Sequence, residues 1–185
     1  MIRQRPVELL APARNVECAM AAVDHGADAV YIGASRFGAR ASAGNSVEDI
    51  ARLVEYAHTF RVKVYVTVNT ILKDEELPET ERLVWALYRA GVDALIVQDM
   101  ALLELDLPPI PLHASTQMDN RTPEKVKFLH GLGFSQVVLA RELSLAEIQA
   151  VHAACDVPLE VFVHGALCVS YSGQCYVSQY CFGRS

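Results

Sequence analysis

Three times in this chain a glycine stands three or four residues ahead of a short aliphatic run: Gly26-Ala27-Asp28-Ala29-Val30, Gly91-Val92-Asp93-Ala94-Leu95 and Gly133-Phe134-Ser135-Gln136-Val137. Each glycine follows a stretch with helical spacing of apolar residues, where a left-handed residue ends a helix at little steric cost. Each run is continuously apolar rather than alternating, as in a strand covered on both faces. A helix that stops and feeds directly into a buried strand, repeated along the chain, specifies stacked βα units and a parallel sheet.

The remaining segments fit this grammar. Strands are expected at Val7–Leu10, Ala29–Ile32, Val62–Val68, Ala94–Val97, Leu112–Ser115, Val137–Ala140 and Leu159–Val163. Asn15 caps the first helix, and Ser46 with Asp49 and Ser144 with Glu147 form capping boxes. Further helices are expected at Glu81–Ala90, at Met100–Leu105 and from Thr122-Pro123, with proline in the first turn. The count is seven strands and six helices. No G-x-G-x-x-G follows the first strand, where Leu10-Ala11-Pro12-Ala13 stands instead, so a nucleotide-binding open sheet is disfavoured. The expected fold is α/β: a parallel (βα) barrel of the TIM type, in one domain over residues 1–185. A full eightfold barrel takes about 250 residues. The chain is therefore expected to be an N-terminal fragment with an incomplete barrel, truncated after its cysteine motif. Unpaired first and seventh strands would then favour a homodimer of the fragment or binding of the missing part.

Composition narrows the function. A formal charge of −6 gives no general basic face, so a nucleic-acid partner needs a local patch or parts outside this chain. The start has no signal-peptide pattern, and no apolar run reaches the roughly 18 residues of a membrane helix, which makes the cytoplasm the expected compartment. Of five cysteines, Cys168, Cys175 and Cys181 fall close together, a clustering that in such a chain reads as metal or redox chemistry before disulfides. Cys18 and Cys155 lie on helices and read as buried free thiols.

Barrel chemistry sits at the carboxyl ends of the strands. The residues just past each strand are Gly33, Asn69, Gln98, Asp99, Ser115, Thr116, Gln117, Arg141, Glu142 and His164. At least three are expected to face one pocket; the alternative is a wet rim whose polar groups only cap loops. His113, inside a strand, reads as a satisfied lumen histidine, whereas His25, His58, His130 and His152 read as surface or packing residues. Glu160 is either a general base or a carboxylate at the barrel floor paired with an arginine.

The segment from Glu160 decides among function classes. Glu160, Phe162, Gly165, Ala166, Leu167, Cys168, Gly173, Cys175 and Ser178 match the recognition pattern of the collagenase-like peptidase family U32, which the chain closely resembles. Gly26-Ala27-Asp28-Ala29-Val30-Tyr31-Ile32-Gly33, Phe37-Gly38-Ala39-Arg40, Val68-Asn69-Thr70, His113-Ala114-Ser115-Thr116-Gln117 and Leu139-Ala140-Arg141-Glu142-Leu143 extend the resemblance along the chain. The fuller runs are most similar to the branch that makes 5-hydroxycytidine in 23S ribosomal RNA.

The resemblance implies an iron–sulfur-dependent, oxygen-independent hydroxylase of RNA bases. It implies a 4Fe-4S cluster with Cys168 and Cys175 as two of four thiolate ligands, the other two lying beyond this chain, so the fragment alone is expected to hold no stable cluster. Cys181 matches no ligand position in the family, and a zinc held by Cys168, Cys175, Cys181 and His164 is the alternative. Asn69, Gln117, Arg141 and His164 are the expected pocket residues for substrate or a hydroxyl donor, with prephenate suggested by relatives. Arg141 is expected to pair with a carboxylate of that donor. The family name keeps a peptidase as second reading, although neither an H-E-x-x-H helix nor a G-x-S-x-G elbow is present. A non-catalytic RNA-binding or assembly scaffold is the third.

Overall fold

The computed structural model describes residues 7–35, 44–165, 170–174 and 177–182. Seven parallel strands form one sheet in sequence order: β1 (Leu10–Ala13), β2 (Ala29–Gly33), β3 (Lys63–Val68), β4 (Ala94–Val97), β5 (Leu112–Ala114), β6 (Gln136–Val138) and β7 (Leu159–Glu160). Strands that neighbour in sequence neighbour in space, so the sheet curls one way into an incomplete α/β barrel with β1 and β7 as its edges. Among the described residues five helices cover the outside: α1 (Val16–Asp24), α2 (Val47–Thr59), α3 (Leu77–Arg89), α4 (Pro123–Gly131) and α5 (Leu145–Ala154). A short sixth, α6 (Val177–Phe182), follows β7.

The caps form as the sequence suggests. Asn15 accepts from the Cys18 amide at 3.0 Å, and the capping boxes at Ser46–Asp49 and Ser144–Glu147 are complete. Gly26, Gly91 and Gly133 sit at φ 90°, 85° and 99°, a conformation costly for any residue with a Cβ.

Several boundaries move. Residues 7–9 are a lead-in rather than the first strand: the Leu9 amide is taken by the Asp28 carboxylate at 2.8 Å, and ladder pairing begins with Leu10 opposite Ala29. The sixth strand stops at Val138 because the Ala140 amide bonds to the Asn120 carbonyl instead of the ladder. The seventh ends at Glu160, since the amide of Leu139 makes the last bond to it and β6 offers no further partners. Residues 100–104 form a 3₁₀ turn, and α3 starts four residues earlier than expected, with Pro78 in its first turn.

Alternation along the strands divides the interior in two. Val30, Ile32, Val64, Val66, Leu95 and Val137 point outward and pack under the helices with Leu53, Leu87, Leu129 and Phe134. Each such side chain removed from water contributes roughly 1.5–3 kcal/mol. Ala29, Tyr65, Ala94 and Ile96 form a separate inner cluster with Leu10 and Tyr31. His113 meets Tyr65 edge to face at 4.8 Å, and Glu8 below accepts from both the Tyr65 hydroxyl and Lys63 at 2.8 Å.

The β5–β6 junction hangs on one buried amide. Asn120 is fully buried, and its Nδ2 donates to the carbonyls of Ser115 and Val138, each at 2.8 Å. Asn120→Ala leaves both carbonyls short of a donor and should lower stability by about 2 kcal/mol. Asn120→Asp, which sets a carboxylate against them, should cost more; urea denaturation of the three proteins checks the order, and equal midpoints would refute it.

Candidate functional site

A cavity of about 410 Å³ opens at the carboxyl ends of the strands, within the size range of small-molecule sites. Its wall takes residues from nearly every strand: Tyr31 and Gly33 of β2, Thr67 of β3, Ile96 of β4, Val138 of β6 and Glu160 of β7. The segments just past the strands add Arg14, Asn69, Ser115, Thr116, Gln117, Arg141 and Phe162. The period-2 geometry of a strand explains the set, because Tyr31 and Gly33, or Thr67 and Asn69, project to the same side.

Three of the four expected pocket residues, Asn69, Gln117 and Arg141, share this wall. Asn69 Nδ2 donates to Ser115 Oγ at 3.3 Å, and Ser115 Oγ also accepts from the Gln117 amide at 3.2 Å. Arg141 lies over the Phe162 ring, 5.1 Å from its centroid, which holds the guanidinium at the mouth without neutralising it. His164 is exposed and outside the wall, contrary to expectation: β7 ends at Glu160, so the chain has left the barrel before it reaches residue 164.

The other strand-end residues divide by role. Gln98 and Asp99 border a second, shallower hollow with Ile71 and Phe128, and Asp99 caps the amides of Leu72 and Ala101. Glu142 turns away to bond Ser172. His113 is buried with its Nδ1 unpartnered; burial lowers its pKa to about 4, with Lys63 adding to the effect and Glu8 opposing it, so it stays neutral. Cys18 is exposed on α1 rather than buried, since its position faces away from the sheet, while Cys155 is half-buried. Cys181 is exposed on α6.

Arg14 is the first residue past β1, because that strand ends at Ala13 rather than at Leu10. Tyr31 and Thr67 lie within strands, where a reading confined to strand ends passes over them.

Glu160 supplies the titratable group of the cavity. Its Oε2 accepts from Gln136 Nε2 at 2.8 Å, not from an arginine. Burial raises its pKa from 4.5 to about 7, the Gln136 bond opposes this, and the Glu8 charge adds to it. The cavity thus has cationic arginines at its mouth and, in its wall, a carboxyl group whose pKa is raised to about 7.

Cys168 and Cys175 lie outside the described residues. The segment between them, 170–174, is described and packs against the cavity's outer wall, with Tyr171 5.1 Å beneath Arg121 and Ser172 buried. Among the described residues no group of three or more His, Cys, Asp or Glu could hold a metal ion. No helix of these residues is long and apolar enough to cross a membrane.

The Glu160 shift has a signed consequence. Between pH 4.5 and 7 the folded chain binds more protons than the unfolded one, so this group's contribution to stability is lost as pH rises through about 7. The stability of the parent relative to Glu160→Gln should fall by on the order of 2 kcal/mol from pH 4.5 to pH 8. Urea midpoints of both proteins across this range check it; parallel curves would contradict it.

Comparison with known proteins places these features in context. The model of peptidase family U32 matches residues 14–185. The 23S rRNA 5-hydroxycytidine C2501 synthase of Escherichia coli (strain K12) is 61% identical over 97% of this chain and 27% of its own length. The tRNA hydroxylation protein P1 of Bacillus subtilis (strain 168) is 39% identical over 100% of this chain and 44% of its own. The chain thus spans less than half the length of either relative. A solved structure of a U32 peptidase superposes with a TM-score of 0.69 at 16% identity, covering 87% of this chain and 70% of the other, a likeness of fold.

Proposed function

Since the chain belongs to peptidase family U32, we propose that it is the barrel part of an iron–sulfur-dependent, oxygen-independent RNA base hydroxylase that forms 5-hydroxycytidine in 23S ribosomal RNA. The observation that carries this reading is the 61% identity, along nearly the whole chain, to a protein named for that reaction. The compartment that follows is the cytoplasm, where ribosomal RNA is found.

The cavity supports a small hydroxyl donor beside the base. Its size and its arginines, Arg14 and Arg141, suit a compact carboxylate such as prephenate, with Arg141 binding through paired N–H groups. Asn69 and Gln117 orient the donor's hydroxyl groups, and Ser115 fixes Asn69. Glu160, in the same wall, holds a proton near neutrality and exchanges it with the ligand.

Cys168 and Cys175 hold the 4Fe-4S cluster together with thiolates from the rest of the longer protein. Two thiolates in a chain whose relatives are more than twice as long fit such a donor set, and the cluster supplies one-electron transfer. The RNA approaches the cavity mouth, where the Arg141–Phe162 pair offers a flat cationic and aromatic face for an unstacked base. With a net charge of −6, most phosphate contacts must come from other parts of the protein.

Proteolysis is less well supported. Among the described residues no histidine lines the cavity to activate a nucleophile, and the Ser115 hydroxyl in its wall accepts from Asn69 and the Gln117 amide.

The test uses the full-length protein and its Cys168→Ala, Cys175→Ala and Arg141→Ala variants. Anaerobic iron and sulfide analysis should find a cluster in the parent and none in either cysteine variant. Arg141→Ala should keep the cluster but lower 5-hydroxycytidine formation at least 100-fold at limiting donor, read by mass spectrometry of 23S RNA from a complemented deletion strain. A parent without iron after reconstitution would sink the cluster. Unaltered modification in all three variants would leave the scaffold reading standing.

A further inference from the structure

Between Cys168 and Cys175 the chain makes a tight contact with the barrel that the chemistry above does not use. Ser172 is only 4% exposed, although it lies in a loop. Its amide donates to Oε1 of Glu142, and its hydroxyl donates to Oε2 at 3.0 Å. One carboxylate therefore takes both polar groups of one residue, which fixes the orientation of the segment as well as its position. Partial desolvation would raise the Glu142 pKa, yet the bonds from Ser172 and the nearby Arg121 charge bring it below the usual carboxylate value.

Two further contacts join the same segment to the cavity wall. The Thr116 hydroxyl shares its proton between the Leu139 carbonyl at 3.3 Å and Ser172 Oγ at 3.4 Å. Gly173, at φ 74°, lies so close to the Gln117 carbonyl that a Cβ there would overlap it. Thr116 and Gln117 both line the cavity. Displacing the segment therefore disturbs two residues of the cavity wall.

We infer that Glu142 is a positioning residue that locks the link between Cys168 and Cys175 onto the Thr116–Gln117 wall and so couples the cysteine pair to the cavity. The coupling to catalysis rests on the hydroxylase reading; the lock itself does not. Glu142 is itself exposed, yet both of its oxygens take bonds from a buried serine of a segment 30 residues away.

The test is hydrogen exchange by mass spectrometry on the full-length protein, with Glu142→Ala, Glu142→Gln and Ser172→Ala. Amides of residues 170–174 should exchange at least about tenfold faster in Glu142→Ala, while those of β5 keep the parent rate. Glu142→Gln, which retains one acceptor oxygen, should recover a large part of the protection. In the RNA assay Glu142→Ala should lower kcat at least tenfold with KM for RNA within twofold, and Glu142→Gln should restore part of kcat. Should Glu142→Ala fail to fold, Ser172→Ala, which loses the hydroxyl bond but keeps the amide donor, should speed exchange at 170–174 and lower kcat in the same direction by smaller factors. Unchanged exchange at 170–174 would overturn the lock, and faster exchange with parental kcat would overturn the coupling. A parent protein that modifies no RNA, yet shows the exchange pattern, would fault the hydroxylase reading and leave the lock in place.

Discussion

The parallel ladder in strict sequence order governs everything else in this chain. Each strand pairs only with its predecessor and successor, so every crossover lies on the outside and every carboxyl end points to the same rim. The inner face mixes small and large side chains. Ala29 and Ala94 leave room that Tyr31, Tyr65 and His113 fill, and the space above them becomes the cavity. The outer face, rich in valine and leucine, binds the helices and supplies most of the buried apolar area.

Polarity is graded along the lumen. The amino-terminal end is closed by the Lys63–Glu8–Tyr65 contacts, which satisfy their charges among themselves. His113, neutral and edge-on to Tyr65, behaves as part of the packing. Above it Glu160 stands in low-dielectric surroundings with one amide for company, and the arginines stand at the mouth with aromatic rings or solvent beside them. The cavity thus runs from arginines at its mouth to a carboxyl group with a raised pKa in its wall.

The rim is also where distant pieces of chain are tied together. Asn120 joins the ends of β5 and β6 through its amide, and the neighbouring Thr116 and Gln117 receive the segment that follows β7. Cavity wall and segment 170–174 thus meet through the same few residues, Thr116 and Gln117. This explains why a glycine stands at 173, where the backbone comes closest to Gln117.

The repeating helix–glycine–strand order, the capping boxes and the apolar runs determined the number, order and direction of the strands, because those signals are local and period-bound. Asn69, Gln117 and Arg141 were legible as pocket residues for the same reason: a parallel barrel sends the end of every strand to one rim. Boundaries were not legible, since whether Leu9 or Leu10 starts the ladder turns on the Asp28 carboxylate, and whether β6 ends at Val138 turns on the Asn120 carbonyl. Those shifts exposed Arg14 at the mouth and carried His164 away from it. Only the tertiary structure decided that Glu160 pairs with Gln136 rather than an arginine, and that Glu142 turns to Ser172. These choices are made between residues far apart in sequence, where the partner of a buried carboxylate is set by which groups the closed packing brings within hydrogen-bond reach.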